Sequence, residues 1–282
     1  GGMGLGLAIA FILRRRRRSP LAGLQWILIL LAPLPSTTHA FAWSWVTNML
    51  NRVLGQAGLR PSSLRGWLAA WWIEVLWLIP IAVGLASIAL DSVDRRLIEA
   101  ARILQPDVRT VGRIVLPLAA PLLLAGSALI FLLSLVDYTI PSLCQINVSA
   151  LDIFADFSVH NRPGRALLVS APLLATTTAA VVLSQARLRS VALHPNWHRA
   201  APDVPYRWPT GVRILFYGAL GVMVLAAGIP VFSLVSQVSG IRELALTLSE
   251  ARREIAFSLI VAALAALLNL PIAYGAARGA LS

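Results

Sequence analysis

Five stretches of this chain stay apolar longer than a soluble core helix needs: Trp67 to Leu90, Ile114 to Val136, Ala166 to Ala186, Val212 to Val235 and Ile255 to Ala277. Each reaches the length of about 20 residues at which a helix crosses bilayer hydrocarbon. Backbone amides find no water there, so such runs must be helices that close their own hydrogen bonds. A further apolar stretch, Leu21 to about Leu50, is interrupted by Pro33 and Pro35 and ends in Phe41, Trp43 and Trp45. Gly1 to Leu13 is too short to span and reads as the tail of a truncated span. The expectation is an all-α, polytopic transmembrane bundle of about seven spans, the first truncated. Composition agrees, with 58% hydrophobic and only 13% charged residues.

The basic residues orient the bundle. All 24 are arginine, and Arg14 to Arg18 leave the hydrocarbon together. With that run inside, the inner segments hold 16 arginines (14–18; 95, 96, 102, 109, 113; 187, 189, 199, 207, 213; 278) and the outer ones eight. That bias is the one expected of inner loops. Trp43, Trp45, Trp67, Trp71 and Trp72 bracket an outer loop at Asn51 to Gly66, as an interfacial aromatic belt would. The net charge of +12 lies at span ends rather than on one soluble face, which speaks against a nucleic-acid partner.

Several chemistries are excluded or left without a signature. A Walker A phosphate loop requires lysine, and the chain has none. Cys144 is the single cysteine, so neither an internal disulfide nor a CxxC site is possible. His194 and His198 have the i, i+4 spacing of a metal pair, but Pro195 separates them and no acidic residue is near, so no metal site or cofactor is expected. No GxSxG or HExxH motif occurs. Glu74 is the one acidic residue well inside a span and Asp137 stands at a span end, which makes both candidates for a substrate pathway.

The segment Asp91 to Pro121 is charged yet patterned as helix. Asp91 or Ser92 can cap a helix to about Leu104, with Leu97, Ala100, Ala101 and Leu104 on one side and Arg95, Glu99 and Arg102 on another. Pro106 disfavours helix at Gln105, ends the first helix and starts a second, with Asp107 in its first turn. The result is a bent elbow leading through Arg109 and Arg113 into the next span. The ends of the chain also look alike: Ile9-Ala10-Phe11 matches Ile272-Ala273-Tyr274 at an offset of 263 residues. The expected organisation is therefore residues 1–190 as most of one transmembrane half, 191–210 as an inner linker and 211–282 as the start of a similar half, a window from a longer two-half protein.

Glu99-Ala100-Ala101 with Ile114-Val115-Leu116-Pro117 resembles the EAA loop of binding-protein-dependent ABC transporter permeases. In that pattern EAA is followed by three residues, a glycine, about nine residues and Ile-x-Leu-Pro. Here Gln105 replaces the glycine and the spacing to Pro117 is one residue short. Val136-Asp137-Tyr138-Thr139-Ile140-Pro141 and Asp152-Ile153-Phe154-Ala155 look like the fused two-half permeases of ferric-iron and thiamine importers. The resemblance implies a permease fold in the bacterial inner membrane and an elbow (Glu99, Ala100, Ala101, Arg102, Gln105, Pro106, Ile114, Leu116, Pro117) that couples to a dimer of separate ATPase subunits. It also implies a periplasmic binding protein and a cargo such as ferric iron. The rival is a channel-like protein or an intramembrane enzyme, which would need a nucleophile and a base converging within the spans; no histidine lies well inside one.

Overall fold

A computed structural model describes residues 1–15, 34–58, 65–189, 206, 208–237 and 240–281. Every regular element among them is helical: α1 (Gly2–Arg15), α2 (Ser36–Gln56), α3 (Trp67–Asp91), α4 (Arg95–Leu104), α5 (Asp107–Thr110), a π-helical turn (Val111–Val115), α6 (Leu116–Val136), α7 (Thr139–Leu143), α8 (Ser149–Ser158), α9 (Pro163–Arg189), α10 (Thr210–Gln237), α11 (Ile241–Glu250) and α12 (Arg252–Leu281). They form two compact units, Gly1–Ser233 and Leu234–Ser282.

Five helices are long and apolar enough to cross a membrane: Trp67–Asp91, Asp107–Val136, Pro163–Gln185, Thr210–Gln237 and Arg252–Gly275; Gly2–Leu13 is a shorter apolar helix. The protein is thus a multi-pass membrane protein. Part of the expected Leu21 to Leu50 span lies outside the described residues. Its described part, α2, starts after Pro35 and continues to Gln56, so Asn51 to Gln56, read as outer loop, is helical. Nothing between Ser36 and Gln56 breaks a helix; the chain leaves it at Ala57 and at Gly58, whose φ of +70° is the left-handed conformation that glycine adopts freely. The span expected from Ile114 starts earlier, because Pro106 launches a helical run in which Arg109 and Arg113 already take part.

Close approach of backbones holds the first unit together. A Cβ placed on Gly6 of α1 would sit 2.6 Å from the backbone carbon of Ala82 in α3, and one on Gly126 of α6 would sit 2.7 Å from Met3 Cε and 3.1 Å from Leu85 Cβ. Small residues at such crossings are how membrane helices, which gain nothing from expelling lipid, gain contact instead. Around them Ala10, Phe11, Ala86, Ala89, Leu90, Val115 and Ala119 form one buried cluster. Ile9, Leu13, Leu76, Ile79 and Val83 form a second with Ala219, Met223 and Ala226 of α10. A third joins Ala40 of α2 and Ile73 of α3 to Ile140 of α7 and Cys144.

Outward faces are apolar. In α9, Leu167, Leu168 and Leu183 are mostly exposed, as are Phe257, Leu259 and Leu268 of α12 in the second unit. Acyl chains cover such faces in a bilayer. Trp67 and Trp71 are exposed at the start of α3, where the expected aromatic belt lies, while Trp72 packs edge-on against Trp43, with ring centroids 5.9 Å apart.

The crossing at Gly6 has a direct check. Gly6→Val, which forces the α1 and α3 backbones apart, should destabilise the detergent-solubilised protein by about 1–3 kcal/mol. Gly4→Val, with open space around it, should leave the thermal midpoint followed by tryptophan fluorescence unchanged.

Candidate functional site

The charged elbow begins one residue set later than its sequence suggests. Helix α3 runs through to Asp91, and Ser92 Oγ donates to the Ala89 carbonyl at 2.7 Å, so both expected caps are absorbed by the preceding helix. The cap of α4 is Asp94, whose carboxylate accepts from the Arg96 backbone N–H at 2.9 Å. The other end is as the proline dictates. Gln105 is extended (φ −151°, ψ 157°), its N–H closing the last turn on the Ala101 carbonyl at 3.0 Å, and Pro106 (φ −61°, ψ 150°) leads into α5.

The face of α4 that seats on the bundle differs from the expected one. Ile98 is buried in the same cluster as Val93, Leu90, Val111 and Val115, and Ala101 is buried as well. Leu97, Ala100 and Leu104 are exposed, as is Ile103; Leu104 is 86% exposed and Ile103 85%. Only Ala101 of the expected Leu97, Ala100, Ala101 and Leu104 side packs inward. The helix has apolar residues on two sides, and the side nearer the α3–α6 crossing wins.

Arg102 likewise turns from its expected partner. Its guanidinium reaches across the bend to Asp107, Nε to Oδ1 at 2.7 Å and NH2 to Oδ2 at 3.2 Å, a bidentate geometry that fixes angle as well as distance. Its other side lies over the Tyr206 ring, with Cζ 5.1 Å from the centroid. Tyr206, Trp208 and Phe216 pack together against Phe11 of α1, so an aromatic group braces the elbow from behind. Glu99 is exposed and, among the described residues, makes no ion pair; Arg102, expected beside it, closes a clasp over the proline instead, and the side chain of Arg95 lies outside the described residues.

Beyond α5 the chain makes a π-helical turn at Val111–Val115 before α6. Val111 and Val115 are buried, Ile114 and Leu116 are half-buried, and Pro117 is exposed at the start of α6. Such turns widen the helix by one residue and recur at functional sites.

At the far end of the same two long helices the other predicted residues meet. Glu74 of α3 is 8% exposed and lies near Ser134 and Asp137 at the end of α6. Asp137 Oδ1 accepts from Ser36 Oγ at 2.9 Å and Oδ2 from the Ile140 N–H at 3.1 Å. The sequence offered Glu74 and Asp137 separately; it did not offer Ser36 or Ser134, although Ser134 lies one helical turn before Asp137. His39 is 2% exposed on α2. Among the described residues no group of three or more His, Cys, Asp or Glu side chains converges in a way that could hold a metal ion.

The clasp has a measurable role in holding the bend. Asp107→Ala leaves Arg102 without its carboxylate, a loss of about 1.5–3 kcal/mol for hydrogen bonds to a charged group, and should accelerate tryptic cleavage after Arg102 several-fold. Glu99→Ala should leave that cleavage rate as it is.

No curated relative matches the chain. Residues 2–199, which include the elbow, α3, α6, Glu74 and Asp137, match the family model described as the binding-protein-dependent transport system inner membrane component. A bundle of apolar helices with a braced, charged elbow between two of them, matched over most of its length, belongs to that family of transporter permeases.

Proposed function

We propose that the elbow is the docking element for a separate ATPase subunit, and that the chain moves a small solute, handed over by a periplasmic binding protein, through the inner membrane. Family membership makes the chain a permease component of an ABC importer. The observation that carries the coupling role is the outward face of the elbow. Leu97, Ile103, Leu104 and Val108 are exposed beside Glu99 and Ala100, at a charged segment between spans where lipid does not cover them. An apolar patch next to a small residue and a free carboxylate is a surface built to be covered by protein. Ala100 lets a partner backbone approach closely, and the Arg102–Asp107 clasp keeps the patch in one orientation.

Closure of two ATPase subunits around ATP would push on this patch. Ile98 passes the displacement to the cluster that holds α1, α3 and α6. The arginine bias places the elbow on the cytoplasmic side, and the α7–α8 region, with Tyr138 stacked on Phe154 at 5.0 Å, on the side of the binding protein. The proline bend at Gln105–Pro106 serves in place of the glycine of related loops. We read residues 1–190 as one transmembrane half, 191–210 as the linker and 211–282 as the start of a second half. Ferric iron or a related small solute is the cargo suggested by the likeness of the Asp137 and Asp152 segments to iron and thiamine permeases.

Glu99→Arg tests the docking role. The variant should insert into the membrane at the normal level, yet lose co-purification with the ATPase or hydrolyse ATP without uptake, a drop in transport of at least tenfold. Unchanged uptake would contradict the proposal.

A further inference from the structure

The Arg102–Asp107 clasp joins two residues of the elbow itself, so it sets the bend without deciding where the bend rests on the bundle. Tyr206, far along the chain, supplies a contact that does decide this. The Arg102 side chain is only 18% exposed, and its guanidinium stands over the Tyr206 ring with Cζ 5.1 Å from the centroid. A cation in that place is attracted by the electron-rich face of the ring, the more strongly where water is excluded. An aliphatic side chain offers no such face.

Tyr206 is in turn held by other rings. Trp208 lies 5.5 Å from it, and Phe216 of α10 meets Trp208 edge-on at 5.0 Å. Phe11 of α1 completes the group, edge-on to Tyr206 at 6.0 Å and to Trp208 at 5.6 Å, and stacked on Phe216 at 6.3 Å. At these spacings aromatic pairs attract through their quadrupoles and prefer defined angles. A continuous path of ring contacts therefore runs from the elbow to α10, beside the path through Ile98 to α3 and α6. All of it lies within the first compact unit. Apolar packing alone accounts for Phe11, Trp208 and Phe216, but not for a charge placed on the ring at their edge.

We propose that Tyr206 is a positioning residue for the elbow: its ring face fixes Arg102, and Trp208 ties both to Phe216, so that the elbow and α10 move as one. Arg102 is then a pivot held from two sides, by a carboxylate across the bend and by a ring at the entry to α10. A push on the exposed Ile103 and Leu104 face is shared between α10 and the α3–α6 pair. The use of that movement in transport rests on the permease reading given above; the anchoring itself does not.

The full chain in lipid nanodiscs, with Ile103→Cys as its single accessible thiol, takes a nitroxide label next to Arg102. With Tyr206 in place, electron paramagnetic resonance should show one ordered component. Tyr206→Leu should raise the mobile fraction about threefold, as the loss of a partly buried cation–π contact allows. Trp208→Leu, which removes the ring between Tyr206 and Phe216, should do the same, while Tyr217→Leu, an exposed ring on α10, should not. Tyr206→Phe keeps the ring face and should restore the ordered spectrum, which a contact made through the hydroxyl would not allow. A label at Leu183→Cys, exposed on α9, should stay unchanged in every variant, separating local release from misfolding. The proposal is overturned by an ordered label at position 103 in Tyr206→Leu or Trp208→Leu, by Tyr206→Phe as mobile as Tyr206→Leu, or by an equal change at position 183. The measurement uses neither ATPase nor solute, so it can fail while the importer reading stands, and unchanged uptake in Glu99→Arg would contradict that reading while leaving the anchor in place.

Discussion

The seating of Ile98 in the cluster shared by α1, α3 and α6 is the contact on which the remaining structure depends. Without it the elbow would be a charged loop hanging from two membrane helices. With it, the α4 helix is part of the same packed body as Ala86, Leu90, Val115 and Ala119. Packed interiors are stiff, so a push on the elbow moves helices rather than deforming side chains. The clasp between Arg102 and Asp107, braced by Tyr206, Trp208 and Phe11, sets the angle at which that push arrives.

The same two helices carry both the elbow and the predicted pathway residues. Helix α3 starts near Glu74 and ends at the elbow; the run through α5 and α6 starts at the elbow and ends at Asp137. A shift of one helix against the other at the elbow therefore alters the approach of Glu74 to Asp137 at the opposite end. Coupling over this distance needs no chain of special residues, only two rigid helices packed along their length with close approaches such as Gly126 on Leu85.

What could be read from the sequence follows from the range of the forces involved. The spans were legible because bilayer length and apolar runs are a local match. The bend at Gln105–Pro106 was legible because a proline acts on its own neighbours through sterics. The cap was misplaced since Asp91, Ser92 and Asp94 are all able to cap, and only the extent of α3 decides among them. The inward face of α4 was misread because Leu97 and Leu104 are as apolar as Ile98 and Ala101, and which side meets the bundle is a tertiary matter. Helical spacing arithmetic paired Arg102 with Glu99; the true partner lies across a helix break, where that arithmetic does not apply. The meeting of Glu74 with Asp137, and of Arg102 with Tyr206, depends on how distant helices pack, which no local pattern encodes.

The central claim is that the exposed apolar face of the elbow is covered by an ATPase subunit. Cys144 is the only cysteine and is buried, so a cysteine placed at Ile103 offers a single accessible thiol for a photoactivatable cross-linker in native membranes. The account predicts an adduct between Ile103→Cys and the ATPase chain that changes in yield when ATP is added. Membranes that import solute normally, yet give no such adduct from position 103, would contradict it.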